Sequence, residues 1–301
     1  MINVSISSTF ILHPYAETIK RLFITAILSS PSFGERNSLN LFFTDFNKFE
    51  CENHPLSFLI NPIWLPKNMS GKVSAFIVGA TGQVGKAISK ELAKTDSVDR
   101  VTLFTRRQID PSQGDTENDY SKFTVKVVDY EKLEENHTKD FEGFDVGYTA
   151  IGLIGTQSIE EKTKVDHDYL LEAAKLAKAG GCNNLNVVTG GSSKDSPFFY
   201  MRNKWVIEQD VSALGYERVT FYRPGLLLGG NRENLPLAYK LSSPIVNFLD
   251  RGRFLSLDVP ALAKVMVHNS LQPAKAAVEF LENREIHKQG IKLANTNNNN
   301  K

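Results

Sequence analysis

Through the middle of the chain, short runs of consecutive apolar residues alternate with stretches in which apolar residues return every three or four positions. The runs fall at 74–78, 101–105, 124–128, 146–151, 185–188 and 219–222, and their length and β-branched content predict buried strands. Amphipathic stretches at 84–94, 165–178 and roughly 198–214 predict helices between several of them. Strands that are apolar on both faces belong in a parallel sheet covered on both sides. Right-handed crossovers then make an α/β Rossmann fold, a doubly wound parallel sheet, the economical arrangement. From 226 to about 293 the alternation fades, which predicts a small, mostly helical substrate-side lobe of the same domain, residues 226–294.

The two ends of the chain lack this pattern. Residues 1–68 are rich in Phe, Ser and Asn, are broken by Pro14, Pro31, Pro55, Pro62 and Pro66, and show no sustained period. Met69-Ser-Gly-Lys leads straight into the first strand and reads like the native start of a Rossmann protein. The extension is a targeting segment, a disordered or loosely attached tail, or a stretch added by an upstream start codon. Glu17, Glu35, Asp45, Glu50 and Glu52 weigh against a mitochondrial presequence, because such segments avoid acids. The Asn-rich stretch 295–301 reads as a disordered tail. The Rossmann domain is thus expected at 69–225.

Composition removes several classes. A hydrophobic share of 41% over 301 residues is enough for a sizeable core. A net charge of +1 gives no electrostatic reason to expect nucleic acid as a partner. Cys51 and Cys182 are too few and too far apart for a disulfide framework or a zinc site, so no metal is expected and a cytoplasmic location is the simplest reading. The longest apolar run near a basic pair, 22–28 after Lys20 and Arg21, falls far short of the roughly 20 residues of a membrane span, so no transmembrane segment is expected.

Candidate chemistry begins where the first strand ends. It runs into Gly79-Ala80-Thr81-Gly82-Gln83-Val84-Gly85, and a helix follows at once. Glycines at this spacing allow a tight turn, close approach of backbone to a pyrophosphate, and close helix–strand packing. The pyrophosphate then rests on free N–H groups at the positive end of the helix. A glycine string alone is an ordinary turn; its place between a buried strand and a helix makes it a dinucleotide cradle. The second strand ends in Thr105-Arg106-Arg107. Arg106 lies 24 residues beyond Gly82, where an acid would take an NAD ribose hydroxyl, and no acid is present. Two guanidiniums there suit the 2′-phosphate of NADP(H).

After the fifth strand come Thr189-Gly190-Gly191-Ser192-Ser193 and then Tyr200-Met-Arg-Asn-Lys204. Tyr and Lys four residues apart share one helix face. A lysine cation beside a phenol is expected to lower its pKa, fitting Tyr200 for proton transfer, while Lys204 also reaches the nicotinamide ribose. The pair follows the fifth strand of a dinucleotide domain by one short loop, which favours catalysis over a surface contact.

These motifs resemble the short-chain dehydrogenase/reductase superfamily in its atypical, NADP-binding branch. The chain is most similar to the Tat-interactive-protein oxidoreductase group, through Asp129-Tyr-Glu-Lys-Leu133, Phe144-Asp-Val-Gly147, Val165-Asp-His-Asp-Tyr169, Leu176-Ala-Lys-Ala-Gly-Gly-Cys182, Tyr222-Arg-Pro-Gly225 and Leu281-Glu-Asn-Arg-Glu-Ile-His287. The resemblance covers Val73 to about Gly290. It implies cofactor contacts at Thr81, Gly82, Gln83, Val84, Arg106, Arg107, Ile151, Gly152, Tyr200, Lys204 and Leu227, beside Gly79 and Gly85 of the loop. It also implies Tyr200 as proton donor or acceptor for a small-molecule carbonyl substrate. Two positions depart from it. A Ser usually follows the fifth strand, and here Thr189 or Ser192 must supply the orienting hydroxyl. An arginine a turn beyond Leu227 is replaced, with Leu235 near that position and Arg232 close by. The same group includes regulators, which implies protein partners and leaves a second class open: an NADPH sensor without significant turnover.

Other residues invite a role and lack the context for one. His268 sits on an apolar helical stretch with no acid spaced for it. Asp166, His167 and Asp168 are consecutive on a helix and point different ways. Cys182 follows Gly180-Gly181 at a helix end. Arg223-Pro-Gly closes the sixth strand.

Overall fold

The computed structural model describes residues 71–153, 158–228, 250 and 255–299, all within the unit Ile63–Lys301. The extension 1–68, together with Arg232 and Leu235, lies outside the described residues. Strands β1 (Val73–Val78), β2 (Val98–Thr105), β3 (Phe123–Val127), β4 (Val146–Thr149), β5 (Asn184–Val188) and β6 (Arg218–Arg223) match the six predicted runs. All pair in parallel, in the order β3-β2-β1-β4-β5-β6, and β9 (Val278–Glu282) adds a seventh strand beside β6. The sequence reading did not contain β9. Its residues, Val-Glu-Phe-Leu-Glu, are too polar for a central strand, and it stands at the edge of the sheet.

Alternation along β1 explains the two layers. Ala75 and Ile77 face one side, and Phe76 and Val78 the other. On the first side they meet α1 (Gln83–Ala93) through Val84, Ile88 and Leu92, and α6 (Val259–Ser270) through Leu262, Val265 and Met266. On the second they meet α4 (Tyr169–Ala179) through Leu170, Ala173, Ala174 and Ala177, and α5 (Phe199–Ser212) through Ile207 and Val211. Phe76, Phe104, Phe141 and Phe144 fill the centre of this second core with edge-on and stacked rings. Each buried side chain of that size contributes about 1.5–3 kcal/mol.

A short α2 (Leu133–His137) lies between β3 and β4, and α3 (Ile159–Thr163) follows β4. Ser158 starts α3 with a capping box, exchanging hydrogen bonds with Glu161. A π-helical turn, Lys164–Asp168, joins α3 to α4. A second sheet pairs β7 (Leu226–Leu228) with β8 (Ser256–Asp258) in parallel. The last helix, α7 (Asn283–Asn299), closes the described part of the chain. Among the described residues of 226–294, α6 and α7 are helical and β9 joins the main sheet.

Candidate active site

The strand order reverses between β1 and β4, and ligands of open parallel sheets bind at the carboxyl ends of the strands beside such a point. Gly79 opens the turn there with φ +92°, and a Cβ at Gly79 would lie 2.6 Å from the carbonyl carbon of Ala150. Only glycine combines that backbone with that approach. The Gly82 N–H donates to the Gly79 carbonyl at 3.0 Å, and Gly82 caps α1 in an extended conformation with no side-chain partner. A Cβ at Gly85 would run into the Gly79 carbonyl oxygen. The first turn of α1 holds no acid, so no side-chain charge opposes the positive end of the helix. This is a cradle that side chains would fill, and it fits a pyrophosphate.

A cavity of about 120 Å³ lies against the loop. Of the predicted contacts, Gly79, Thr81, Gly82, Arg106, Ile151 and Gly152 line it, while Leu227 sits partly buried on β7 and does not. Arg106 and Arg107 are exposed at the end of β2, and among the described residues neither guanidinium has a carboxylate in ion-pair reach. Tyr130 and Tyr169, with rings 5.3 Å apart, border the cavity beside Arg106.

Tyr200 and Lys204 stand on α5 as expected. The Lys204 ammonium lies 5.5 Å from the centre of the Tyr200 ring. Tyr200 is half-exposed overall, and its hydroxyl rests against backbone, donating to the Thr189 carbonyl at 3.1 Å. Gly190, with φ +89°, makes room for it: a Cβ there would stand 2.9 Å from the phenol oxygen. The expected lowering of the Tyr200 pKa is corrected by the structure. Burial and the charge of Asp166 push it up to about 12. Burial is the larger cause; the second is the group that holds the lysine: Lys204 donates to Asp166 Oδ2 at 3.1 Å, and both side chains are about 4% exposed.

The two candidate orienting hydroxyls are brought together, but not toward Tyr200. Thr189 Oγ1 donates to Glu208 Oε1 at 2.8 Å, and Ser192 Oγ donates to Glu208 Oε2 at 2.6 Å. Arg223 grips the same carboxylate through Nε at 2.9 Å and Nη2 at 2.6 Å, and reaches Glu282 on β9 with Nη1 at 2.8 Å. Glu208 is fully buried and its acceptor sites are all occupied. Asp166 likewise takes two donors, adding the Leu153 N–H at 2.7 Å to Lys204.

Sequence reading passed over Asp166 and Glu208 as site residues, although a signal existed. Asp166 lies in helical register with Leu170, Ala173 and Ala177, and Glu208 with Lys204 and Val211. An acid on the buried stripe of a helix needs a partner, and each of these has one. The neighbours of Asp166 diverge: His167 bridges Asp168 and Asp210, both at 2.8 Å.

Cys182 is buried, its thiol pushed up to about 12 by burial. His268 is lowered by burial and by Lys264 and Lys292. It lines a cavity of about 760 Å³ with Arg218, Lys275 and Glu279, at the amino ends of β6 and β9 and away from the residues above. No helix among the described residues is long and apolar enough to cross a membrane.

No protein-family model matches the chain. It is 34% identical to the rat Protein HTATIP2 over 218 residues, 71% of this chain and 87% of that protein. Protein FMP52, mitochondrial, of Eremothecium gossypii is 32% identical over 224 residues, 71% and 96% of the two chains. Among solved structures, Pen from Bacillus thuringiensis superposes with a TM-score of 0.55 at 13% identity, covering 75% of this chain and 76% of that one. MoeE5 in complex with UDP-glucose and NAD gives 0.51 at 13%, covering 74% and 82%. Those two likenesses are of the fold alone, and they agree with the seven-stranded parallel sheet; it is the relatives of known sequence that carry the kinship. The chain belongs to the atypical short-chain dehydrogenase/reductases, in the group that holds HTATIP2 and FMP52.

Proposed function

We propose that the protein is an NADPH-dependent oxidoreductase acting on a small-molecule carbonyl compound, with Tyr200 as proton donor or acceptor and Lys204 as its partner. The observation that carries this reading is the pair itself: a phenol and a buried ammonium one turn apart, at the carboxyl end of the sheet that also carries the glycine cradle. The backbone of Gly79, Thr81, Gly82, Gln83, Val84 and Gly85 would hold the pyrophosphate. Arg106 and Arg107 favour a 2′-phosphate, because among the described residues no acid competes for them. Ile151, Gly152 and Leu227 would flank the other half of the dinucleotide, with Lys204 toward its ribose. When bound, the cofactor supplies hydride. Tyr200 gives its proton to the carbonyl oxygen that becomes an alcohol, and the Thr189 carbonyl steers the phenol by accepting from it.

Titration with NADPH and NADH, followed by turnover of a panel of aldehydes, ketones and quinones, tests this. Tight NADPH binding with turnover lost in Tyr200→Phe supports it; NADH preference or undiminished turnover refutes it. One observation favours a second reading. Thr189 and Ser192 both spend their hydroxyl protons on Glu208, and among the described residues no side-chain hydroxyl bonds Tyr200. An NADPH sensor working through protein partners needs no such hydroxyl. Binding without turnover across the panel is its signature.

The FMP52 relatives are named mitochondrial, which favours a mitochondrial location over the cytoplasmic one read from composition. A fluorescent fusion of residues 1–68 decides between them.

A further inference from the structure

Lys204 is the residue from which a lowered tyrosine pKa was expected, and its charge is already engaged. Asp166 Oδ2 accepts from it at 3.1 Å inside the protein, and Asp166 Oδ1 accepts from the Leu153 N–H at 2.7 Å. The same carboxylate therefore fastens three things: the π-helical turn that carries it, the segment following β4 that lines the cleft, and the lysine on α5. His167, the next residue, bonds Asp210 on α5 at 2.8 Å and holds the turn against that helix a second time. The Tyr200 oxygen meets the Thr189 carbonyl at 3.1 Å, a contact that exists only while the phenol keeps its proton.

We propose that Asp166 is a positioning residue of the site: it fixes Lys204 and cancels its charge, so that Tyr200 rests as a protonated phenol and the site is set to donate a proton, in the reductive direction. This rests on the oxidoreductase reading and adds to it the direction of the reaction and a third member of the pair. Two charged groups face the Tyr200 ring, Lys204 from its own helix and Asp166 from the π-helical turn. Glu208 and Arg223 lie behind the Thr189 side chain as a bonded pair of opposite charges. Burial acts in the same sense as Asp166 and holds the phenol up to about 12. Reduction then moves one proton from the Tyr200 oxygen to the carbonyl oxygen as hydride from bound NADPH reaches the carbonyl carbon, and solvent restores the phenol proton. The carbonyl compound is reduced to an alcohol and the cofactor is oxidised.

The test is a titration of Tyr200 by NMR in the full chain carrying ¹³Cζ-labelled tyrosine, its resonance assigned by loss in Tyr200→Phe. In the wild type that resonance stays in the phenol position through pH 10.5, above the ordinary midpoint of about 10. In Asp166→Asn, which keeps the shape and removes the charge, Lys204 is left uncompensated. The midpoint should fall by about one unit or more, as for an opposite charge within about 4–6 Å. Lys204→Met should shift it the other way or leave it high. Should Asp166→Asn fail to fold, the Lys204→Met arm alone decides: a fall in the Tyr200 midpoint there overturns the proposal. An unchanged midpoint in folded Asp166→Asn overturns it as well. None of these readings needs a substrate, so a protein without turnover whose Tyr200 shifts as described loses the enzyme reading and keeps the charge arrangement. Where a substrate is found, Asp166→Asn should raise alcohol oxidation relative to carbonyl reduction near pH 9.

Discussion

The two halves of the cleft are built from different materials. The proposed cofactor end is backbone: three glycines, an uncapped helix and a strand terminus. The proposed catalytic end is side chain, with two buried carboxylates, Asp166 and Glu208, each gripping partners from other elements. A backbone site is specified locally, because the steric demand falls on residues a few positions apart. A carboxylate network is specified at long range, since its members meet only after the sheet has formed. The first kind tolerates change in its surroundings, and the second fails as a unit.

The largest effect separates the chemistry of the catalytic end from its architecture. Tyr200→Phe removes one oxygen and should cut carbonyl reduction by about 10²–10⁴-fold with NADPH affinity nearly unchanged, measured by steady-state kinetics and fluorescence titration. Retained turnover would move the proton donor elsewhere. Next comes the network. Glu208→Gln leaves Arg223 without its buried partner and should lower stability by about 3–5 kcal/mol in a denaturant melt. Glu282→Gln, removing only the exposed contact of the same arginine, should cost less than about 1 kcal/mol. Equal losses in the two would mean that burial does not govern the pair.

The backbone half should answer differently. Gly79→Ala places a Cβ against the Ala150 backbone at a positive φ. Strain of about 1–2 kcal/mol adds to the displacement of the neighbouring turn, and NADPH binding should weaken while the fold persists. Unimpaired binding would remove the loop from the site. The smallest effect sharpens the choice of cofactor. Arg106→Glu should weaken NADPH by about 10–100-fold, the worth of a charge-assisted contact, and leave NADH within a few-fold. Equal weakening of both would place Arg106 away from the 2′-phosphate.

That contrast also explains what was legible before the fold was known. The inner strands β1, β2, β4, β5 and β6 announce themselves as apolar runs because helices cover the sheet on both sides of them, and the glycine loop because no other residue fits its geometry. The edge strand β9 does not, since Glu279 and Glu282 belong on an edge. Tyr200 and Lys204 were readable as neighbours on one helix. The true partners of Lys204, Thr189 and Ser192 were not, because Asp166 lies 38 residues from Lys204 and Glu208 lies 19 from Thr189. The direction of the Tyr200 shift follows the same blind spot: burial of the phenol, the larger cause, and the counter-ion of Lys204 both arise only once the fold has formed.

The π-helical turn at Lys164–Asp168 makes the length of one loop a chemical variable. A π turn holds one residue more than an α turn, and one residue is about 100° of rotation about the helix axis. Deleting a single residue between Asp166 and Tyr169 would restore regular helix and keep the composition almost unchanged. The carboxylate would then point to another side of the helix, and Lys204 would regain a free charge. In such a chain the gap in an alignment, with the glycine loop and the Tyr–Lys pair intact, would mark a change in how the tyrosine holds its proton.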